Sequence, residues 1–194
     1  KLVEEARQRC DVLVVSIFVN PEQFNDKGDL DRYPRDLTSD AALLAEYDVD
    51  YIYAPDVDEV YPEGFATYVN VEGLTDTLEG ASRTGHFRGV ATVVLKLFQI
   101  VQPHRAYFGE KDAQQLAIVK RLVADFNVPV EIVEVPTVRE PDGLAMSSRN
   151  RHLAPEQRAS AACLYQALIE ARRLISSGER DLAAIRSAAA VRIP

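Results

Sequence analysis

The sequence predicts an α/β fold built on a parallel, doubly wound sheet, followed by the start of a smaller C-terminal domain. Three observations carry that expectation. The run "DVLVVSIFV" (Asp11 to Val19) is almost continuously apolar and rich in valine and isoleucine, the pattern of a strand buried on both faces of a parallel sheet. Strand-like and helix-like segments alternate after it, as βαβ units do. Three polar clusters, "NPEQF", "GEKD" and "REPDGLAMSSRN", each follow a predicted strand, and ligands of open parallel sheets sit beyond the carboxyl ends of the strands.

The elements follow in order. "KLVEEARQRC" has the composition of the last turns of a helix, with no cap and no strand before it. A βαβ pattern demands a strand ahead of that helix, paired beside Asp11 to Val19; without it two central strand edges would lie unpaired. The chain is therefore expected to be an excerpt of a longer protein. Residues Leu37 to Tyr47 carry helical spacing, and "VDYIYAP" (Val49 to Pro55) predicts another short buried strand. "ATYVNVEG" (Ala66 to Gly73) alternates and predicts a strand. "RGVATVVLKLFQIV" (Arg88 to Val101) is apolar nearly all round, which predicts a buried helix despite its β-branched content. Next come the strand "AYF", a helix from about Asp112 to Phe126, and the strand Pro129 to Val138. Beyond "LAPEQR" the pattern turns helical. Pro155 fits a helix start, "ASAACLYQALIEARRLI" supplies its body, "SSGERD" breaks it, and "DLAAIRSAAAVRI" begins another helix. Residues 1–153 read as the main domain, and 154–194 as a linker helix and the beginning of a second one.

Composition excludes several classes of function. The 194 residues are 47% hydrophobic and 27% charged, as in a soluble globular protein. Thirty acidic against 22 basic residues give a net charge of −8, which argues against a general nucleic-acid or membrane-surface binder. No apolar run approaches the roughly 20 residues needed to span a bilayer, and the first residues carry no signal-peptide pattern. Cys10 and Cys163 show neither metal-ligand nor disulfide-framework spacing, so a reducing, cytoplasmic setting is expected.

Each cluster admits a bland and a functional meaning. In "GEKD", Gly109 allows close backbone approach, Asp112 can cap the following helix, and Lys111 offers a point charge; the segment is either a charged turn with an N-cap or a phosphate cradle. "MSSRN" (Met146 to Asn150) sets two hydroxyls beside a guanidinium, which suits either a capped polar turn or a loop that grips nucleotide phosphates. "FVNPEQF" ends a strand with the amides of Asn20 and Gln23, suited to hydroxyl and carboxylate recognition, or to a plain proline turn. "DLDRYPRDL" adds Tyr33 and Arg35. Arg83, His86 and Arg88 precede the buried helix, where basic groups oppose the helix dipole unless an anion is present. Asp40 and Glu79 are carboxylates with no metal-binding pattern around them, and the metal ligands stay unassigned.

Taken together and in this order, "VVSIFVNPEQF", "DLDRYPRDL", "LEGASRTGHFRGVATVVLKLFQIVQP", "YFGEKDAQQLAIVKRLVADF" and "VPTVREPDGLAMSSRNRHL" resemble the pantothenate synthetase (pantoate–β-alanine ligase) family over about residues 1 to 160. The resemblance implies a Rossmann-like domain of the nucleotidyltransferase superfamily and a two-step reaction dependent on ATP and Mg²⁺. Pantoate carboxylate attacks the α-phosphate of ATP to give pantoyl adenylate and pyrophosphate; the amine of β-alanine then displaces AMP. It implies ATP contacts at Gly109, Glu110, Lys111, Asp112, Val138, Met146, Ser147, Ser148 and Arg149. Among these, Lys111, Ser147, Ser148 and Arg149 would act on the reacting phosphate. Gln23 and Gln115 would hold pantoate, with Asn20, Tyr33, Arg83 and His86 around the pantoate and β-alanine pocket. A homodimer is implied as well. The family's HxGH phosphate motif, which follows its first strand, would lie upstream of Lys1. Two rivals stay open on the sequence: another enzyme of the same superfamily, such as a cytidylyltransferase, and a non-catalytic nucleotide-binding module.

Overall fold

The computed structural model describes residues 1–33 and 35–193. They divide into two compact units, Lys1–Pro136 and Thr137–Pro194. Pro34, next to the expected site residue Tyr33, lies outside the described residues.

The first unit opens with helix α1 (Leu2–Arg7), strand β1 (Val14–Ser16), a 3₁₀ turn at Pro21–Gln23, α2 (Lys27–Arg32), α3 (Leu37–Ala45) and β2 (Tyr51–Tyr53). There follow α4 (Val57–Val60), α5 (Leu78–Ser82), α6 (His86–Val101), β3 (Arg105–Gly109), a 3₁₀ turn at Glu110–Asp112, α7 (Ala113–Asp125) and β4 (Glu131–Val135). All strand pairing in these elements is parallel, as βαβ connections require. β1 pairs with β2 in the register Val15 to Ile52, across α2 and α3. β3 pairs with β4 in the register Tyr107 to Val133, across α7. The expected single doubly wound sheet is thus expressed, among the described residues, as two parallel pairs.

Two strands are shorter and more open than their sequences predict. Only Val14–Ser16 of the run Asp11 to Val19 joins a ladder, and Val12 is 59% exposed. Tyr51 is 65% exposed, so the β1–β2 pair is not buried on both faces. A continuous apolar run records what a strand would bury in a covered sheet, and this pair has a face without cover. It is anchored through Asp50, whose carboxylate accepts from the Leu13 N–H and from Arg7 Nη1, both at 2.8 Å. Those donors hold its pKa below the ordinary carboxylate range.

The segment Ala66 to Gly73 forms no strand. Its Val69 N–H is taken by the Thr92 hydroxyl at 3.0 Å, and the same hydroxyl donates to the Arg88 carbonyl at 2.7 Å. A side chain on α6 satisfies the backbone where a neighbouring strand would otherwise do so.

The core lies between α6 and α7. Phe87, Val90, Ala91, Val93, Val94 and Phe98 pack with Ile118, Val119 and Leu122, and Val60 and Val71 complete the cluster. Burying each large side chain contributes about 1.5–3 kcal/mol. The expected buried helix is therefore present, beginning two residues earlier than Arg88. Gly85, at φ +82°, starts it, and the Gln102 N–H closes it onto the Phe98 carbonyl at 2.9 Å, directly before Pro103.

In the second unit, Val138 to Met146 form a tight hairpin. The Met146 N–H donates to the Val138 carbonyl (2.9 Å) and the Glu140 N–H to that of Leu144 (2.8 Å), around an antiparallel bridge between Arg139 and Ala145. A 3₁₀ turn at Ser148–His152 leads into α8 (Pro155–Ser160), α9 (Cys163–Ser176) and α10 (Leu182–Ala190). The helix expected as one body from Pro155 is two, and each half is tied to the hairpin on its own. Arg158 pairs with Asp142. Tyr165 stacks under the Arg139 guanidinium, 4.1 Å from the ring centre, and packs on Gly143.

Gly143 turns the hairpin at φ +96°, and a Cβ there would come 2.8 Å from Tyr165 Cε1 and closer still to Cδ1. Gly143→Ala is expected to cost the intact protein about 2 kcal/mol through the combined backbone strain and overpacking. A denaturant midpoint equal to wild type would show that the hairpin gives way freely.

Candidate functional site

The chain leaves β1 into Asn20, one of the most buried polar residues in the structure at 1% exposure. A primary amide at that depth needs its donors and acceptor paired. Asn20 Nδ2 donates to the Gly89 carbonyl (3.1 Å) and to Gln23 Oε1 (3.2 Å), while Oδ1 accepts from the Glu22 N–H (3.3 Å) and the Tyr61 hydroxyl (2.8 Å). Burial, with Glu22 adding to it, pushes the Tyr61 phenol far up, so it stays a neutral donor. The amide of Gln23 is thereby aimed by Asn20.

The backbone of Gln23 is held from the other side by the start of α6. His86 is buried, and its Nδ1 lies 2.7 Å from the Gln23 carbonyl, an acceptor that fixes Nδ1 as the protonated nitrogen. Nε2 is then left to accept from Arg83 Nη1 at 3.2 Å. Arg83 Nη2 donates to the same Gln23 carbonyl at 3.2 Å, and Nη1 lies 2.6 Å from Glu79 Oε1. Four of the expected pocket residues, Asn20, Gln23, Arg83 and His86, are thus joined in one hydrogen-bonded cluster. One expectation is answered differently: the anion that the basic groups before α6 called for is, for Arg83, the Glu79 carboxylate of the same chain. Arg88 stacks over the Tyr68 ring, 4.4 Å from its centre.

Gly89 makes this contact possible. A Cβ on it would strike the Glu22 carbonyl and lie 2.8 Å from the Gln23 nitrogen, so α6 rests directly on the main chain of the Pro21–Gln23 turn. A cavity of about 320 Å³ opens beside the same helix start, walled by Asn70, Thr75, Asp76, Gly80 and Arg88 among others. Of the expected site residues only Arg83 lines it, so it is not the amide cluster itself.

At the end of β3, Gly109 leads into the Glu110–Asp112 turn and then α7. Asp112 does not cap the helix with its side chain, contrary to expectation; its carboxylate pairs with Lys111 Nζ at 3.2 Å. Both are exposed, and such a surface pair contributes at most about 1 kcal/mol, so the ammonium is readily exchanged to a better anion. The first turn of α7 carries no side-chain cap and no acidic residue. That leaves a helix N-terminus and a lysine together at a strand end. Gln115, in the first turn of α7, is half-buried.

The remaining expected nucleotide contacts lie in the second unit. Val138 and Met146, eight residues apart in sequence, are hydrogen-bonded across the hairpin and exposed at 41% and 50%. Ser147 caps the following turn by accepting from the Arg149 N–H at 3.3 Å; Ser148 and Arg149 are exposed. Asn150 Nδ2 ties the loop to the Ala145 carbonyl at 3.0 Å. Tyr33, in the first unit, packs edge-on against Phe24, ring centres 5.6 Å apart.

Three residues that support the cluster were not singled out for it by their sequence context: Tyr61, Gln114 and Glu79, the last noted only as a carboxylate. Among the described residues no three His, Cys, Asp or Glu side chains gather closely enough to hold a metal ion, and no helix is long and apolar enough to cross a membrane.

The family model described as Pantoate-beta-alanine ligase matches residues 1–193. The chain belongs to the pantoate–β-alanine ligase family. The pantothenate synthetase of Moorella thermoacetica is 59% identical over 187 residues, 96% of this chain and 66% of that protein. That of Aquifex aeolicus is 56% identical over 188 residues, 97% of this chain and 67% of that protein. The chain therefore spans about two thirds of the length of these ligase-family relatives. Among solved structures, pantothenate synthetase from Thermus thermophilus superimposes with a TM-score of 0.94 at 56% identity, covering 98% of this chain and 69% of the other. Pantoate–β-alanine ligase from Francisella tularensis, complexed with β,γ-ATP and β-alanine, gives 0.82 at 40% identity over 91% of this chain and 72% of that one. The α/β, Rossmann-like fold expected from the sequence is the fold of the family.

Proposed function

We propose that this chain carries the ATP and pantoate sites of an enzyme that condenses pantoate with β-alanine to pantothenate through a pantoyl adenylate, releasing pyrophosphate and then AMP. The observation that carries the reading is the likeness to the Francisella tularensis ligase, whose structure holds β,γ-ATP and β-alanine. The local chemistry supports it. Pantoate offers a carboxylate and hydroxyls, which the oriented amide of Gln23 can meet without bringing a second negative charge to the attacking group. Gln115, Tyr33, Arg83 and His86 complete this proposed pocket, His86 and Arg83 chiefly by fixing the Gln23 backbone. Gly109 and Glu110 bring the main chain to the nucleotide. The start of α7, which has no side-chain cap, and Lys111 are assigned to its phosphates, and Asp112 to its ribose. Val138, Met146, Ser147, Ser148 and Arg149 are the ATP contacts proposed for the second unit.

In the first step negative charge gathers on the α-phosphate as the carboxylate adds and pyrophosphate leaves. Lys111, Arg149 and the hydroxyls of Ser147 and Ser148 are the groups that follow that charge. In the second, the β-alanine amine attacks the acyl carbon and AMP departs; here the chain contributes alignment of the two reactants. Mg²⁺ would enter with ATP as part of the metal–nucleotide substrate. Residues 1–153 are assigned to ATP and pantoate and 154–194 to the linker and the start of the C-terminal domain. A homodimer in the cytoplasm belongs to the same proposal.

The test is AMP formation by the intact protein from MgATP, with pantoate and β-alanine each present or omitted. AMP that requires both acids is the expected result, with pyrophosphate exchange into ATP requiring pantoate alone. ADP in place of AMP, or AMP release indifferent to pantoate, would overturn the proposal.

A further inference from the structure

Gln114 stands next to the proposed pantoate contact Gln115, yet its side chain serves a different purpose. Nε2 donates to two carbonyls of a segment some 40 residues upstream, Leu74 and Thr77, both at 2.8 Å, and Oε1 accepts from the Glu79 N–H at 3.1 Å. One primary amide thus makes three hydrogen bonds to main chain, using both its donors and accepting as well. The segment it grips has an unusual backbone: Leu78 is left-handed at φ +49° and its side chain is 81% exposed. No packing of Leu78 explains that conformation. The Gln114 clasp, on the two carbonyls before it and the N–H after it, does.

Glu79 begins the chain of contacts that ends at Gln23. Its N–H is held by Gln114, its carboxylate holds Arg83, and Arg83 holds both His86 and the Gln23 carbonyl. We propose that Gln114 is a positioning residue for the pantoate pocket: it couples the first turn of α7, at the proposed phosphate site, to the amide cluster around Gln23. The inference rests on the proposed function for the identity of the ligand and on the hydrogen bonds alone for the coupling. It follows that the two substrate sites are set relative to each other by one side chain that touches neither substrate.

Gln114→Met keeps the length and bulk of the side chain and removes all three bonds. In the intact protein the variant is expected to raise the KM for pantoate about tenfold or more, while the KM for ATP and kcat stay within about threefold. Hydrogen exchange at the Glu79 amide should quicken by a similar factor, with the α7 core amides of Ile118 to Leu122 unchanged. Equal increases in both KM values, or faster exchange throughout α7, would mean general loosening and would overturn the inference. So would unchanged exchange at Glu79. Should the wild-type protein form no pantoate-dependent AMP, the proposed function fails, and with it the substrate half of this inference. The exchange measurement would then still decide the clasp.

Discussion

Replacing Gly89 with alanine is expected to lower pantoate-dependent AMP formation by about a hundredfold and to destabilise the protein by about 1–3 kcal/mol. The added methyl would meet the Glu22 carbonyl and crowd the Gln23 nitrogen. One side must move. Helix α6 is fixed on both flanks of Gly89 by Phe87 and Val90, each 2% exposed, so the Pro21–Gln23 turn gives way instead. That turn carries the Gln23 amide, and the bond from Asn20 to the Gly89 carbonyl runs through the same contact. Thermal melting and the AMP assay on one preparation separate the two effects. Activity falling only in proportion to the folded fraction would mean that the turn is support for the fold and not for the pocket.

Lys111→Ala is expected to slow adenylate formation about a hundredfold with the melting temperature unchanged, since the side chain is exposed and its partner is a neighbouring surface carboxylate. Pantoate-dependent exchange of pyrophosphate into ATP isolates that step. The loss should fall on kcat more than on the KM for pantoate, because charge on the phosphates grows toward the transition state. An exchange rate equal to wild type would remove Lys111 from the site.

The elements that the sequence predicted well are those whose signal is local. Helix α7 begins within a residue of its expected start because Gly109 and the charges after it end a strand, and α6 is legible from fourteen residues of which only four, Arg88, Thr92, Lys96 and Gln99, are polar. The failures come from hydrogen-bond and ion-pair partners, near in the chain or far, that a residue pattern does not name. The alternation in Ala66 to Gly73 is a sound strand pattern, but the Val69 N–H is claimed by Thr92. Asp112 looks like an N-cap until Lys111 is seen to hold its carboxylate. Arg83 suggested an external anion although Glu79 lies one helical turn before it, a pairing the spacing permits without requiring. Within the site, the amides and the glycine–charge turn were visible as residue types in a suggestive order. Gln114 was not, since nothing distinguishes it from its neighbour except carbonyls 37 and 40 positions away.

The tight glycines differ in what stands against them, and that difference governs how the family can drift. At Gly89 the obstacle is the main chain of Glu22 and Gln23, and at Gly80 it is the main chain of Thr75. Main-chain atoms are common to all twenty amino acids, so no change of side chain at positions 22, 23 or 75 removes the obstacle itself. At Gly143 the obstacle is the Tyr165 ring. There a smaller side chain at 165 relieves the steric part of the conflict, leaving only the left-handed backbone to be tolerated. A clash beneath α6 is therefore relieved by moving main chain, while the one at the hairpin can be eased by changing its tyrosine.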